Sequence, residues 1–139
     1  VAQGDGPGAL AAYRKGLAIR ESLAARDPAN TEWQRDLSVS HDRIGDVLVA
    51  QGDGPGALAA YRKGLAIAEA LAVRDPANAE WQCDLIVSNV KLAEATGDES
   101  FLKTALQIAE AMQSRGVLAS SDLWVIADLR QRLGQTTRE

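Results

Sequence analysis

Apolar residues recur at three- and four-residue spacings through most of the chain. Between residues 7 and 26, Leu10, Tyr13, Leu17 and Ala24 form one line, and Ala12, Gly16, Ile19 and Leu23 form a second. That spacing is helical, and two apolar lines imply burial on two sides, as in a helix stacked between neighbours. Pro7 suits a first helical position, because its missing N–H is not needed there. Pro28 closes the segment, since the residue before a proline is pushed away from helix. Asn30 is the expected N-cap of a second helix with Trp33, Leu37, Ile44 and Leu48 on one face. That helix stops at Gln51-Gly52-Asp53-Gly54, where glycine can take a left-handed turn. Six helices are predicted, at about 7–26, 30–51, 55–74, 78–96, 100–115 and 121–133. The last carries Leu123, Ile126, Ala127, Arg130 and Leu133 as a one-sided spacing, which suits an end helix with one wet face. Residues 1–134 are read as one domain, and the polar tail 135–139 is expected to fray.

The cycle repeats. Residues 1–36 and 49–84 align at an offset of 48, with 31 of 36 positions identical. The five differences are Arg20/Ala68, Ser22/Ala70, Ala25/Val73, Thr31/Ala79 and Arg35/Cys83. A degenerate third copy follows, in which Gly97-Asp98 matches Gly52-Asp53 and residues 106–112 match 65–71. Repetition at a fixed period points to stacked supersecondary units.

The stretch Ile44-Gly45-x-x-Leu48-x-x-x-Gly52-Asp53, then Ala57-Leu58-x-x-Tyr61-x-x-Gly64-Leu65, then Asp75-Pro76 resembles a tetratricopeptide repeat. The period of 48 is longer than that family's 34, and residues 65–71 resemble the longer repeats of the kinesin light chain type. The resemblance covers nearly the whole chain. It implies a right-handed superhelix of helical hairpins, with 30–51 as the first helix of a unit and 7–26 as the second helix of a preceding one. It also implies a concave groove that binds a peptide or a partner protein. Its inner line would be Arg35, Val39, Asp42, Asp46 and Val49, then Cys83, Val87, Val90 and Glu94. One subgroup of the family grips C-terminal carboxylates with Lys and Asn on this line. Asp42 and Asp46 stand there instead, which suits a basic or mixed peptide better.

Composition narrows the function. The chain has 139 residues, 46% hydrophobic and 24% charged, with 25 Ala and six aromatics. Alanine at that level favours closely packed helices. A net charge of −4 with interspersed signs argues against a phosphate-backbone partner. One Cys and one His rule out a disulfide framework and a Cys/His zinc site within one chain. No apolar run approaches a membrane span, and no secretion signal opens the chain, so a cytoplasmic location is expected. A start at Val1 suggests a piece of a longer protein.

The candidate chemistry reads as structure. Gly4-Asp-Gly-Pro-Gly8 and its copy at 52–56 lack the Lys-Ser/Thr of a phosphate loop and read as turns. His41 and the neighbouring Asp42 point about 100° apart on a helix, so His41 is read as a packing residue. Cys83 is read as a free thiol, Trp33 and Trp81 as core, and Arg14-Lys15 and Arg62-Lys63 as solvated faces. No enzyme and no cofactor site is expected. Two features stand apart. The second copy replaces Ser38 and Asp42 by Ile86 and Val90, which are either covered by the last helix or form an apolar anchor pocket. The first helix lacks a helix to cover Leu10, Tyr13 and Leu17, which predicts self-association through that end. The expected function is a non-catalytic interaction scaffold. The alternatives are a structural or oligomerising repeat segment, or a regulatory arm of a larger effector protein, as similar long bacterial repeats suggest.

Overall fold

The structure is a computed structural model that describes the backbone of residues 6–138 and the side chains of residues 8–134. Among the described residues six α-helices run in order: α1 (Gly6–Arg26), α2 (Thr31–Ala50), α3 (Gly54–Arg74), α4 (Ala79–Thr96), α5 (Ser100–Arg115) and α6 (Trp124–Arg138), with a 3₁₀ turn at Ser120–Asp122 before α6. The described residues contain no strand, and the all-helical class read from the periodicity is observed. The chain divides into two compact units, Val1–Leu71 and Ala72–Glu139.

Local chemistry sets the helix ends. Asn30 and Asn78 cap α2 and α4, accepting the backbone N–H of Trp33 at 3.0 Å and of Trp81 at 3.1 Å. Each such bond satisfies one of the donors a helix start leaves open. Asp53 does the same for α3, accepting from Gly56 at 2.9 Å, so the helix begins one residue before Pro55. Gly52, Gly97 and Gly116 take φ of 80°, 73° and 73°. These left-handed positions end α2, α4 and α5, where a side chain would be strained.

In the first unit α1 packs on α2. Gln34 bridges them, its Nε2 donating to the Ala24 carbonyl at 3.5 Å. Specific side-chain contacts join α2 to α3. Ser38 Oγ donates to the Gly64 carbonyl at 2.8 Å, and the Tyr61 hydroxyl donates to Asp46 Oδ1 at 2.6 Å. The Tyr61 ring lies on Gly45, where an added methyl would run into it. Two-sided burial does not hold for α1. Ala12 and Ile19 are exposed, whereas Ala60, the copy of Ala12 in α3, is buried. Trp33 and Trp81 are half-buried rather than core.

In the second unit α4 packs on α5 and α5 on α6. Ile86, Ala105, Ala109, Met112, Ile126 and Leu129 form the core. Ala105 and Ala109, spaced four apart and fully buried, let neighbouring helices approach α5 closely. Burying Met112 and Leu129 contributes about 1.5–3 kcal/mol each. Two expectations for the last helix are corrected. It does not stop at 133, because Gly134 keeps a right-handed backbone and α6 continues to Arg138, through most of the tail expected to fray. Its start is a 3₁₀ turn, and its buried line is Ile126 and Leu129 with Leu133 half-buried, while Leu123, Ala127 and Arg130 face outward.

Candidate interaction cleft

The second unit holds a cleft of about 470 Å³ between α4 and α6, a size within the range of ordinary ligand sites. Its α4 wall carries Cys83, Val87, Val90 and Glu94 at three- and four-residue spacing, one face of the helix. The facing wall comes from Leu118, Asp122, Trp124 and Val125. Gly116 makes that wall: its left-handed turn lets Val117 N–H bond the Met112 carbonyl at 3.0 Å, turning the chain back toward α6. Ile86 and Leu129 close the floor and are buried in the core.

Ile86 and Val90 differ in their surroundings. Ile86 is 7% exposed and packs with α6 residues Ile126 and Leu129, as a covering helix requires. Val90 is half-buried at the edge of that core and lines the open cleft. Trp124 is 64% exposed and Val87 48%, so two large apolar side chains stand in water beside one cavity.

Polar groups form the rim. Arg132 Nε pairs with Asp128 Oδ2 at 3.0 Å, and Arg130 pairs with Glu110 at 2.7 Å just outside the cleft. Three carboxylates (Glu94, Asp122, Asp128) against two cations (Lys91, Arg132) leave the cleft one negative charge. Burial pushes the Cys83 thiol up, and the negative charges of Asp122 and Asp84 push it further. It stays protonated at neutral pH and is a poor nucleophile. Among the described residues no group of three or more His, Cys, Asp or Glu is placed to hold a metal ion. No helix among them is long and apolar enough to cross a membrane.

Of the inner line read from the sequence, Cys83, Val87, Val90 and Glu94 meet in this cleft. Arg35, Val39, Asp42, Asp46 and Val49 lie on α2 in the other unit. There Asp46 accepts the Tyr61 hydrogen bond, Asp42 lies against Gly64 of α3, and Val49 is 52% exposed. Leu10, Tyr13 and Leu17 are half-buried on α1. His41 is buried at 7% exposure in α2. The α6 wall, above all Trp124 and Val125, was missed by sequence reasoning. The only local signal was the apolar pair Val117-Leu118 directly after a turn glycine.

No protein-family model, curated protein or solved structure matches the chain.

Proposed function

We propose that this chain is a non-catalytic protein-interaction scaffold, a tetratricopeptide-like array of helical hairpins in a right-handed superhelix, and that the α4–α6 cleft receives a peptide segment of a partner protein. The observation that carries the reading is the apolar cleft with exposed Trp124 on its wall and a net acidic rim. Tryptophan at the edge of a desolvated pocket is the typical anchor of a binding hot spot. The 48-residue duplication and the Tyr61–Gly45 helix joint support the array. The occupant is a segment with one apolar anchor side chain for the floor and a Lys or Arg within a few residues for Glu94 and Asp122.

Selection from a random dodecapeptide library displayed on phage tests this. Enrichment of peptides pairing an aliphatic or aromatic anchor with a basic residue is expected. Val90→Asp or Trp124→Ser should weaken the selected peptides at least tenfold, about 1.4 kcal/mol. Val73→Ser, at an exposed site outside the cleft, should leave them unchanged. No enrichment, or equal binding to the Val90→Asp protein, would overturn the reading.

A further inference from the structure

The α2–α3 joint displays how two helices of this sequence mate, and each half of that joint occurs a second time with no such mate among the described residues. The first spare half is α1. Residues 6–19 are identical to residues 54–67 of α3. In α3, Tyr61 is 4% exposed on Gly45, and a side chain on Gly64 would meet Asp42 and the Ser38 carbonyl. In α1, Tyr13 is only half-buried, and among the described residues a Cβ on Gly16 would meet only the tip of Arg20 from the same helix, at 2.9 Å.

The second spare half is α6. Its Arg132-Leu133-Gly134 reads against Arg43-Ile44-Gly45 of α2 at an offset of 89. That register sets Ala127, Gln131 and Gly134 where α2 has Ser38, Asp42 and Gly45. Ser38 and Gly45 are buried and Asp42 half-buried, whereas Ala127, Gln131 and Gly134 are all exposed. Among the described residues nothing lies within 4 Å of a Cβ built on Gly134.

We propose that two copies of this chain join head to tail, α1 of one copy lying on α6 of the next. Tyr13 covers Gly134 as Tyr61 covers Gly45, and Gly16 meets Gln131 as Gly64 meets Asp42. A second copy is the occupant because one molecule carries both halves, in the register the chain already uses internally. Charge does not oppose the joint. Arg14 and Lys15 take the places of Arg62 and Lys63, which stay exposed in α3, and Arg130 and Arg132 are already paired with Glu110 and Asp128. The contact is heterologous, so one joint leaves one free α1 and one free α6 that can take up further copies. One helix on one helix lies at the low end of the roughly 1,200–2,000 Å² that specific interfaces bury, so association is weak.

Sedimentation velocity on the full chain, from about 10 μM to about 1 mM, tests this across the range of a weak interface. The mean mass should rise with concentration. Gly16→Gln and Gly134→Arg should each weaken association at least tenfold. Both replace a helix glycine with a better helix former at a site facing no other helix, and circular dichroism should show both folded. Neither residue lines the cleft, so peptide binding should be unaltered. Mixed in equal amounts, the two variants should form a dimer and nothing larger, since each keeps the half the other lacks. A wild-type monomer at 1 mM, a Gly134→Arg protein that assembles like wild type, or a mixture that stays monomeric would each overturn the proposal.

Discussion

Gly16 and Gly64 hold the same place in two copies of one helical sequence, and Gly45 and Gly134 hold the same place in two helices that share an Arg-apolar-Gly run. Their surroundings differ. Gly45 lies under the rigid Tyr61 ring, and no described residue lies within 4 Å of a Cβ built on Gly134. Alanine in a helix interior gains roughly 0.5–1 kcal/mol over glycine when nothing obstructs it. Where a methyl must displace a packed ring, the cost is about 1–3 kcal/mol and outweighs that gain. Gly134→Ala should therefore raise stability and Gly45→Ala should lower it. Urea unfolding at low protein concentration, where association is absent, gives both values, and equal signs would contradict the packing described for Tyr61.

Among the helices, legibility in the sequence followed the range of the forces. The ends of α2, α4 and α5 were readable because their determinants are local: an Asn whose side chain caps the next turn, and a glycine free to adopt positive φ. At Gly134 the same residue type stays in helix, and α6 runs on past the predicted end at 133. The cleft was half legible. The inner line implied by the repeat resemblance included Cys83, Val87, Val90 and Glu94, and comparison of the repeats singled out Ile86 and Val90, which replace Ser38 and Asp42 of the first copy. Its other wall was legible only as an alternative, a last helix covering Ile86 and Val90, and not by residue, because the docking of α6 depends on side chains far apart in sequence. Ala105 and Ala109 admit it, and Ile126 and Leu129 fill the space they leave. Leu129, 1% exposed, is the key member of that contact. Leu129→Ala should cost about 2–5 kcal/mol, the range for a buried Leu whose cavity cannot collapse. Hydrogen exchange should quicken in α5 and α6 of this variant before α2. Loss confined to α2 would place Leu129 outside the core.

Across the whole molecule, 19 carboxylate side chains and 15 Lys and Arg surround a single His. Only a His side chain has an ordinary pKa between pH 5.5 and 7.5, so stability changes in that window report His41. Burial pushes its imidazole below the usual 6.5, Lys63 of α3 pushes it further, and Glu21 of α1 opposes them more weakly. The folded form keeps the ring neutral, whereas the unfolded chain takes up a proton near pH 6.5. Stability is therefore full above that pH and declines as pH falls through it toward the lower folded value. The slope for one proton does not exceed about 1.4 kcal/mol per pH unit. Asp98, held low chiefly by its hydrogen bond from the Ser100 N–H, loses its contribution only below its unfolded value near 3.8, outside the window. The second copy supplies the control. At the matching position in α4, buried Asn89 donates its Nδ2 to the Leu85 carbonyl at 2.9 Å and does not titrate. His41→Asn should flatten the profile, with urea midpoints at pH 5.5 and 7.5 agreeing while the wild-type midpoint falls at the lower pH. A parallel decline in both proteins would show that the proton is taken up elsewhere.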